Sequence, residues 1–301
     1  MKNWEKIEAV DKMQVYIEER IEEVITLQKL SKISGYSPWH SSRVFKELTG
    51  KNPFDYIRLL RLSNAAIRIR DSKSKIIETA FDFVFDSHEG FTRAFSNYFG
   101  MSPKKYRDSQ PPIPLFMPSK IINYHSMLRK KGENTMENSK EICTVFTQVV
   151  IRPERKLIVR RGVTAKEYFK YCEEVGCEVW GVLCSIKEAI HEPAGIWLPK
   201  QMIKTGTSQY VQGVEVSLDY DKKLPEGFEY ITLPSCKMMV FNGPKYNDDD
   251  FMEAISDLQK AISEFDPKQF GYKWSDKSPA YQLEPHGYRG YIEAKPVEDL
   301  D

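Results

Sequence analysis

The sequence predicts a multidomain chain: an all-α module over residues 9–107 and an α+β module, built on one duplicated antiparallel sheet, over residues 142–298. Three observations predict this. Two stretches of the first 107 residues repeat each other at an offset of 50, with Ser37 matching Ser87, Arg43 Arg93, Phe45 Phe95, Gly50 Gly100, Pro53 Pro103 and Tyr56 Tyr106. A weaker echo at an offset of 81 pairs Arg152–Leu157 with Leu233–Met238, and each copy opens a run of strands, a helix and more strands. Charge divides along the same line: residues 24–107 carry 15 Lys and Arg against 7 Asp and Glu, whereas residues 141–301 carry 20 against 26. The first part suits a polyanion and the second does not.

Each element of the first module follows from spacing and caps. Val10, Met13, Ile17 and Ile21 recur every three to four residues, which predicts an amphipathic helix over residues 9–22. Thr26 caps a short helix ending near Ile33, Gly35 provides a turn, and Ser37-Pro38 starts a second helix that stops at Gly50. Within that helix Val44, Phe45 and Leu48 face the core, leaving Trp39, Ser42, Arg43 and Lys46 outside. Residues 54–70 read as a linking helix ringed by Arg58, Arg61, Arg68 and Arg70, which either rest on phosphates or stay solvated. The second unit begins near Lys75, pauses at Asp86-Ser87 and resumes as a helix from His88 to Phe99. There Phe91, Phe95 and Phe99 form the buried stripe, and His88, Glu89, Thr92 and Arg93 the exposed one. A helix-turn-helix encoded twice is suited to gripping two neighbouring turns of one duplex.

These paired units, above all GYSPWHSSRVFKELTG and FDSHEGFTRAFSNYFGMSPKKYR, resemble the AraC/XylS-type transcriptional regulators of the Rob and MarA branch over about residues 9–107. The resemblance implies a seven-helix module that binds an asymmetric site as a monomer, with both reading helices in successive major grooves of a bent duplex. It places Trp39, Ser42 and Arg43 in the first unit, and His88, Glu89, Thr92 and Arg93 in the second, at base-reading positions. Where relatives carry two glutamines this chain has His88-Glu89, so its preferred sequence should differ, Glu89 favouring a cytosine amino group.

Residues 108–141 read as a connector with four prolines and a short helix around Ile121–Arg129. Beyond it, strands are expected at Val145–Arg152, Lys156–Arg161, Ala194–Leu198, Gln209–Leu218, Phe228–Leu233, Lys237–Asn242, Ala280–Glu284 and Gly290–Ala294. Helices are expected at Ala165–Ile186 and Asp249–Glu264. Two such units would make one sheet with helices on one side and a concave face or cleft opposite. The order, closing on GYRGYIEAKPV, resembles the GyrI-like (BmrR-type) effector-binding domain. That resemblance implies a cleft for small cationic or aromatic molecules, with Glu293 as the carboxylate among the rings. Trp180, Trp197, Tyr210, Tyr246, Trp274 and Tyr281 concentrate aromatic surface in this half, and a carboxylate among such faces favours an organic cation.

Composition limits the remaining classes. No apolar run approaches the roughly 20 residues that cross a bilayer, and the first residues lack a secretory pattern, so a cytoplasmic protein is expected. Five cysteines without a C-x-x-C pair argue against a disulfide framework or zinc ribbon, and Cys172, Cys177 and Cys184 read as small buried or half-buried packing residues. Nucleophile elbows, metalloprotease helices and phosphate-cradling loops are absent, so neither catalysis nor a metal or cofactor is expected. The expected partners are promoter DNA, a small-molecule effector and RNA polymerase. A hydrolase or drug-sequestering protein using Glu293 as base or nucleophile is the alternative.

Overall fold

The computed structural model describes residues 2–118 and 144–300. The chain divides into two compact units, Met1–Thr135 and Met136–Asp301. The helix expected around Ile121–Arg129 lies outside the described residues.

The first unit is helical: α1 (Lys2–Glu19), α2 (Leu27–Ser34), α3 (Pro38–Thr49), α4 (Pro53–Asp71), α5 (Ile76–Asp82), α6 (His88–Phe99) and α7 (Pro103–Ser109). Helix α1 starts earlier than its apolar spacing suggested because Ile7 and Ala9 extend the buried stripe of Val10, Met13 and Ile17. The offset-50 repeat reappears as matched local geometry. Ser37 Oγ accepts from His40 N–H and Ser87 Oγ from Gly90 N–H, opening α3 and α6. Gly50 and Gly100 close them at φ +74° and +72°, in the left-handed region where a Cβ is disfavoured. Asn52-Pro53 and Ser102-Pro103 then start α4 and α7 alike. Phe45 packs edge-on to Tyr56 at 5.1 Å, and Phe95 lies 5.9 Å from Tyr106. All four rings are buried.

The start of the expected connector is not free chain. Ile113 and Leu115 are buried, Phe116 N–H donates to Ser63 Oγ at 2.7 Å, and the Phe116 ring stands edge-on to Tyr56. Apolar side chains among the prolines give this stretch a surface to bury.

Among the described residues the second unit holds nine strands: β1 (Phe146–Arg152), β2 (Arg155–Arg161), β3 (Ala194–Trp197), β4 (Tyr210–Val216), β5 (Phe228–Leu233), β6 (Cys236–Asn242), β7 (Tyr272–Trp274), β8 (Ala280–Leu283) and β9 (Ile292–Asp299). Helices α8 (Tyr168–Val175), α9 (Glu178–Cys184) and α10 (Phe251–Glu264) complete it. The sheet order is β1-β6-β9-β8-β3-β4-β2-β5, with β7 beside β9, and every pairing is antiparallel. Exchanging β1 with β5, β2 with β6, β3 with β8 and β4 with β9 reverses this order onto itself, about the central β3–β8 pair. The two echoing sequence segments meet in it: Arg152 pairs with Cys236 and Arg155 with Leu233.

The sequence expected one helix over Ala165–Ile186, whereas α8 and α9 are separate. Gly176, at φ +88°, turns the chain between them. Helix α10 begins at Phe251, β9 runs on to Asp299, and β7 carries too few residues to give a periodic signal. Helices α8 and α9 pack on β4, and α10 on β6. Every residue of β4 is buried, so both of its faces are covered.

Candidate nucleic-acid interface and ligand site

Helix α3 holds Val44 and Phe45 inward, and Ser41 joins them through bonds to Ser34 Oγ at 2.8 Å and the Ser37 carbonyl at 2.9 Å. Trp39, Arg43 and Lys46 are thereby left exposed and Ser42 half-buried. The Arg43 guanidinium lies 5.5 Å from the Trp39 ring centre, a stacking that limits the side chain's freedom without neutralising it. On α6 the inward stripe is Phe91, Phe95 and Phe99, which leaves Glu89 and Arg93 exposed and His88 and Thr92 half-buried. The Thr92 hydroxyl oxygen is itself buried and finds no hydrogen-bond partner among the described residues.

Charge pairing separates the arginines into two groups. Arg58 bonds Asp55 at 2.8 Å, Arg61 donates to the carbonyls of Ile21 at 3.0 Å and Glu23 at 2.6 Å, Arg68 bridges Glu22 and Asp82, and Arg70 bonds Asp71 at 2.8 Å. Arg43, Lys46 and Arg93 have no carboxylate partner among the described residues. Arg61 and Arg68 thus tie α4 to neighbouring segments and Arg58 and Arg70 pair within α4 itself, while the arginines of α3 and α6 keep their donors available. A groove of about 400 Å³ between the end of α3 and the start of α4 is lined by Lys46, Gly50, Lys51, Asn52, Asp55, Arg58 and Leu59. It presents three cations against one carboxylate. Lys51 and Asn52 were not singled out in the sequence, although their place between Gly50 and Pro53 marks a helix junction.

In the second unit the expected ligand residues separate. Glu293 is buried, accepts from Gln259 Nε2 at 2.8 Å, and has the Tyr291 hydroxyl 3.0 Å away. That hydroxyl also lies 3.2 Å from Gln282 Oε1, and Gln282 Nε2 donates to the Tyr210 hydroxyl oxygen at 2.6 Å. Burial pushes the Tyr291 and Tyr210 hydroxyls well above the usual tyrosine range, with the Glu293 charge reinforcing it at Tyr291. Tyr246 packs against the apolar cluster that contains Tyr291, and Trp197 meets Tyr210 edge-on at 5.5 Å. Trp197, Tyr210, Tyr246 and Glu293 are therefore linked through Tyr291 and Gln282, neither of which the sequence marked.

A single register line explains the grouping. Gln212 pairs with Gly195, Gly195 with Gln282 and Gln282 with Glu293, so the four stand on one face across β4, β3, β8 and β9. Gly195 is required there, since a Cβ would come within 2.0 Å of the Tyr210 hydroxyl. Two buried polar atoms of this neighbourhood, Gln212 Oε1 and the Tyr246 hydroxyl, lack a hydrogen-bond partner among the described residues. Unpartnered buried acceptors are costly and suit a donor brought from outside.

The other expected residues lie elsewhere. Trp274 packs near Phe241 and Phe265, with Lys295 over its ring, and Trp180 is a half-buried residue of α9. Tyr281 neighbours Gln282 in β8 and so faces the other way. It donates to Glu215 Oε1 at 2.7 Å, beside Arg155 Nε at 2.7 Å and Arg152 Nη1 at 2.9 Å from the same carboxylate. Burial alone would raise the Glu215 carboxyl, but the two guanidiniums hold it below its ordinary value. A cavity of only about 10 Å³ adjoins this cluster, room for about one water.

Comparison with known proteins places the first unit. A helix-turn-helix domain family matches residues 30–109. The multiple antibiotic resistance protein MarA of Escherichia coli K12 is 39% identical over 92 residues, covering 31% of this chain and 72% of that protein. The right origin-binding protein of the same organism is 37% identical over 95 residues, 32% of this chain and 33% of its own length. Among solved structures, the DNA-binding domain of AdpA in complex with a target DNA is 23% identical, with a TM-score of 0.33, over 34% of this chain and 91% of that domain. The module is a helix-turn-helix DNA-binding unit of the kind found in transcription regulators. The chain belongs to the AraC family of DNA-binding transcriptional regulators. Among the described residues no helix is long and apolar enough to cross a membrane.

Proposed function

We propose that this regulator reads its operator with α3 and α6 in successive major grooves, and that its second unit senses a small cationic or aromatic molecule. The observation that carries the first part is the selective freedom of Arg43 and Arg93: they occupy equivalent positions in the two copies and lack carboxylate partners among the described residues, while the arginines of α4 are engaged. Trp39, Ser42 and Lys46 on α3, with His88, Glu89 and Thr92 on α6, complete the reading surfaces. Lys46, Lys51 and Asn52 in the groove beside α4 suit a backbone phosphate. A bidentate arginine on guanine contributes about 1–3 kcal/mol, so Arg43→Ala and Arg93→Ala should each weaken binding to the promoter fragment by that amount. Unchanged affinity in both variants rejects the assignment. Lys51→Ala should instead weaken all sequences alike and lower the salt slope by about one.

For the second unit we read the self-reversing strand order as an internal duplication of the GyrI-like kind. Its effector site would lie along the register line of Gln212, Gly195, Gln282 and Glu293, beneath Tyr210, Tyr246 and Trp197. The carrying observation is a buried carboxylate in a neighbourhood where Gln212 and Tyr246 have polar atoms without partners among the described residues. A cation with N–H donors matches Glu293 in charge and Gln212 in hydrogen bonding. Binding would change promoter occupancy, or contact with RNA polymerase, by favouring one conformation of the regulator. Thermal-shift measurements against aromatic cations test this: a ligand of the folded state raises the melting temperature, and Glu293→Gln should abolish the rise. A shift that survives both Glu293→Gln and Gln212→Ala would place the site elsewhere.

A further inference from the structure

The offset of 81 that pairs Arg152–Leu157 with Leu233–Met238 holds at a second place, inside the candidate effector site. Tyr210-Val211-Gln212 matches Tyr291-Ile292-Glu293, and Val216 matches Val297. The strand exchange that reverses the sheet order carries β4 onto β9, so these segments are equivalent in topology as well as in sequence. On the register line it exchanges Gln212 with Glu293 and Gly195 with Gln282. Gln282 holds the centre, because Gly195 opposite it has no side chain. Its amide serves both matched tyrosines: Nε2 donates to the Tyr210 hydroxyl oxygen at 2.6 Å, and the Tyr291 hydroxyl lies 3.2 Å from Oε1.

The two halves differ in what they leave free. At Glu293 the bonds from Gln259 Nε2 and from the Tyr291 hydroxyl both go to Oε1, and Oε2 has no hydrogen bond among the described residues. That half offers a negative charge. At Gln212, a residue only 1% exposed, Oε1 is buried without a partner among the described residues. Tyr210, two residues away on the same face of β4, accepts from Gln282 and finds no acceptor for its own hydrogen among the described residues. That half offers one acceptor and one donor, and no charge.

We propose that the effector is a two-ended molecule, with a cationic group at Glu293 and an uncharged hydroxyl or carboxamide between Gln212 and Tyr210. The neutral end would donate to Gln212 Oε1 and accept from the Tyr210 hydroxyl, satisfying both. This rests on the reading of Glu293 as the cation site and adds a second point of recognition with its own chemistry. The line from Gln212 to Glu293 crosses three strand spacings, about 14 Å between Cα atoms. A small ammonium ion cannot touch both ends, so a linear linker must join them.

Titration calorimetry on the full chain separates the ends with three probes of one length. Octylamine has only the cation, ω-aminooctanamide adds the carboxamide, and octamethylenediamine carries a cation at each end. The aminoamide should bind about tenfold more tightly than octylamine, the gain from a pair of hydrogen bonds to otherwise unpartnered groups. Gln212→Leu, close in volume, should make the two probes equal. Gln212→Glu should copy the Glu293 half and turn the preference from the aminoamide to the diamine. Glu293→Gln should weaken all three probes by about tenfold. Equal binding of octylamine and the aminoamide by the unaltered chain, or an advantage that survives Gln212→Leu, overturns the two-ended ligand; the cation site still stands if Glu293→Gln weakens octylamine. Amine binding indifferent to Glu293→Gln, or no binding of any probe, overturns both readings. Because Gln212→Leu and Gln212→Glu act in opposite directions, failure of either to fold leaves the other decisive.

Discussion

The two helix-turn-helix units of the first half share a skeleton and differ in what they present. Their serine caps, left-handed glycines, Pro-started following helices and buried Phe and Tyr rings coincide at an offset of 50. Their outward positions diverge: Trp39 corresponds to Glu89, Ser42 to Thr92 and Lys46 to Ser96, with only the arginine kept. Identity is retained where a backbone angle, a cap or a core volume allows few residues, and it is lost where the side chain faces outward. The first reading helix is accordingly the more basic, and the second carries a carboxylate near its start.

The strongest test of that equivalence is in the core. Phe45→Ala and Phe95→Ala each remove a fully buried ring and should each cost about 3–5 kcal/mol in chemical denaturation. Comparable losses are expected because each ring packs on its own unit's tyrosine. A loss several-fold larger in one copy would mean that the shared skeleton conceals unequal support.

Sequence preference should break the symmetry next. A carboxylate only accepts hydrogen bonds and suits the cytosine amino group, whereas an amide both donates and accepts and suits adenine. Glu89→Gln should therefore move the preference of the second half-site by about 1–3 kcal/mol, read by selection from a randomised operator library. The first half-site should keep its preference. An unchanged profile at both would remove Glu89 from the reading surface. Smaller still, Ser37→Ala and Ser87→Ala should each lower stability by about 1 kcal/mol through loss of one cap.

The helical half was more legible in the sequence than the sheet half, for a physical reason. Caps, turn glycines and the 3.6-residue period are local, so Pro38–Thr49 and His88–Phe99 could be bounded to the residue. The candidate site in the sheet depends on register between strands far apart in sequence, which no local signal encodes. Trp197, Tyr210, Tyr246 and Glu293 were visible as residue types, but Gln212, Gln282 and Tyr291 gained significance only once β4, β3, β8 and β9 were aligned. Composition could not separate Trp274 and Tyr281 from that group, because a buried ring has the same sequence signature on either face of a strand. Nor could it show that the arginines of α4 were engaged, since their partners include the carbonyls of Ile21 and Glu23 and the carboxylates of Glu22 and Asp82.

The smallest expected effect isolates one place where the skeletons disagree. Helix α2 ends on Gly35 at φ +73°, whereas α5 ends through Val84 at φ +58°. There Val84 N–H donates to the Phe81 carbonyl at 2.9 Å and Phe85 N–H to that of Ala80 at 3.0 Å, a helix-end pattern in which glycine is favoured. A β-branched side chain in this region costs roughly 1–2 kcal/mol, while glycine loses about 0.5–1 kcal/mol through the entropy of the unfolded chain. Val84→Gly alone would confound the relief with the loss of a half-buried side chain, so Val84→Ala is the proper reference: it removes the same methyl groups and keeps the Cβ. Val84→Gly should be more stable than Val84→Ala by about 0.5–1 kcal/mol, measured by urea denaturation, with DNA affinity unchanged in both. If alanine proves equal or better, the second turn is not strained, and the two units differ only in the faces they turn outward.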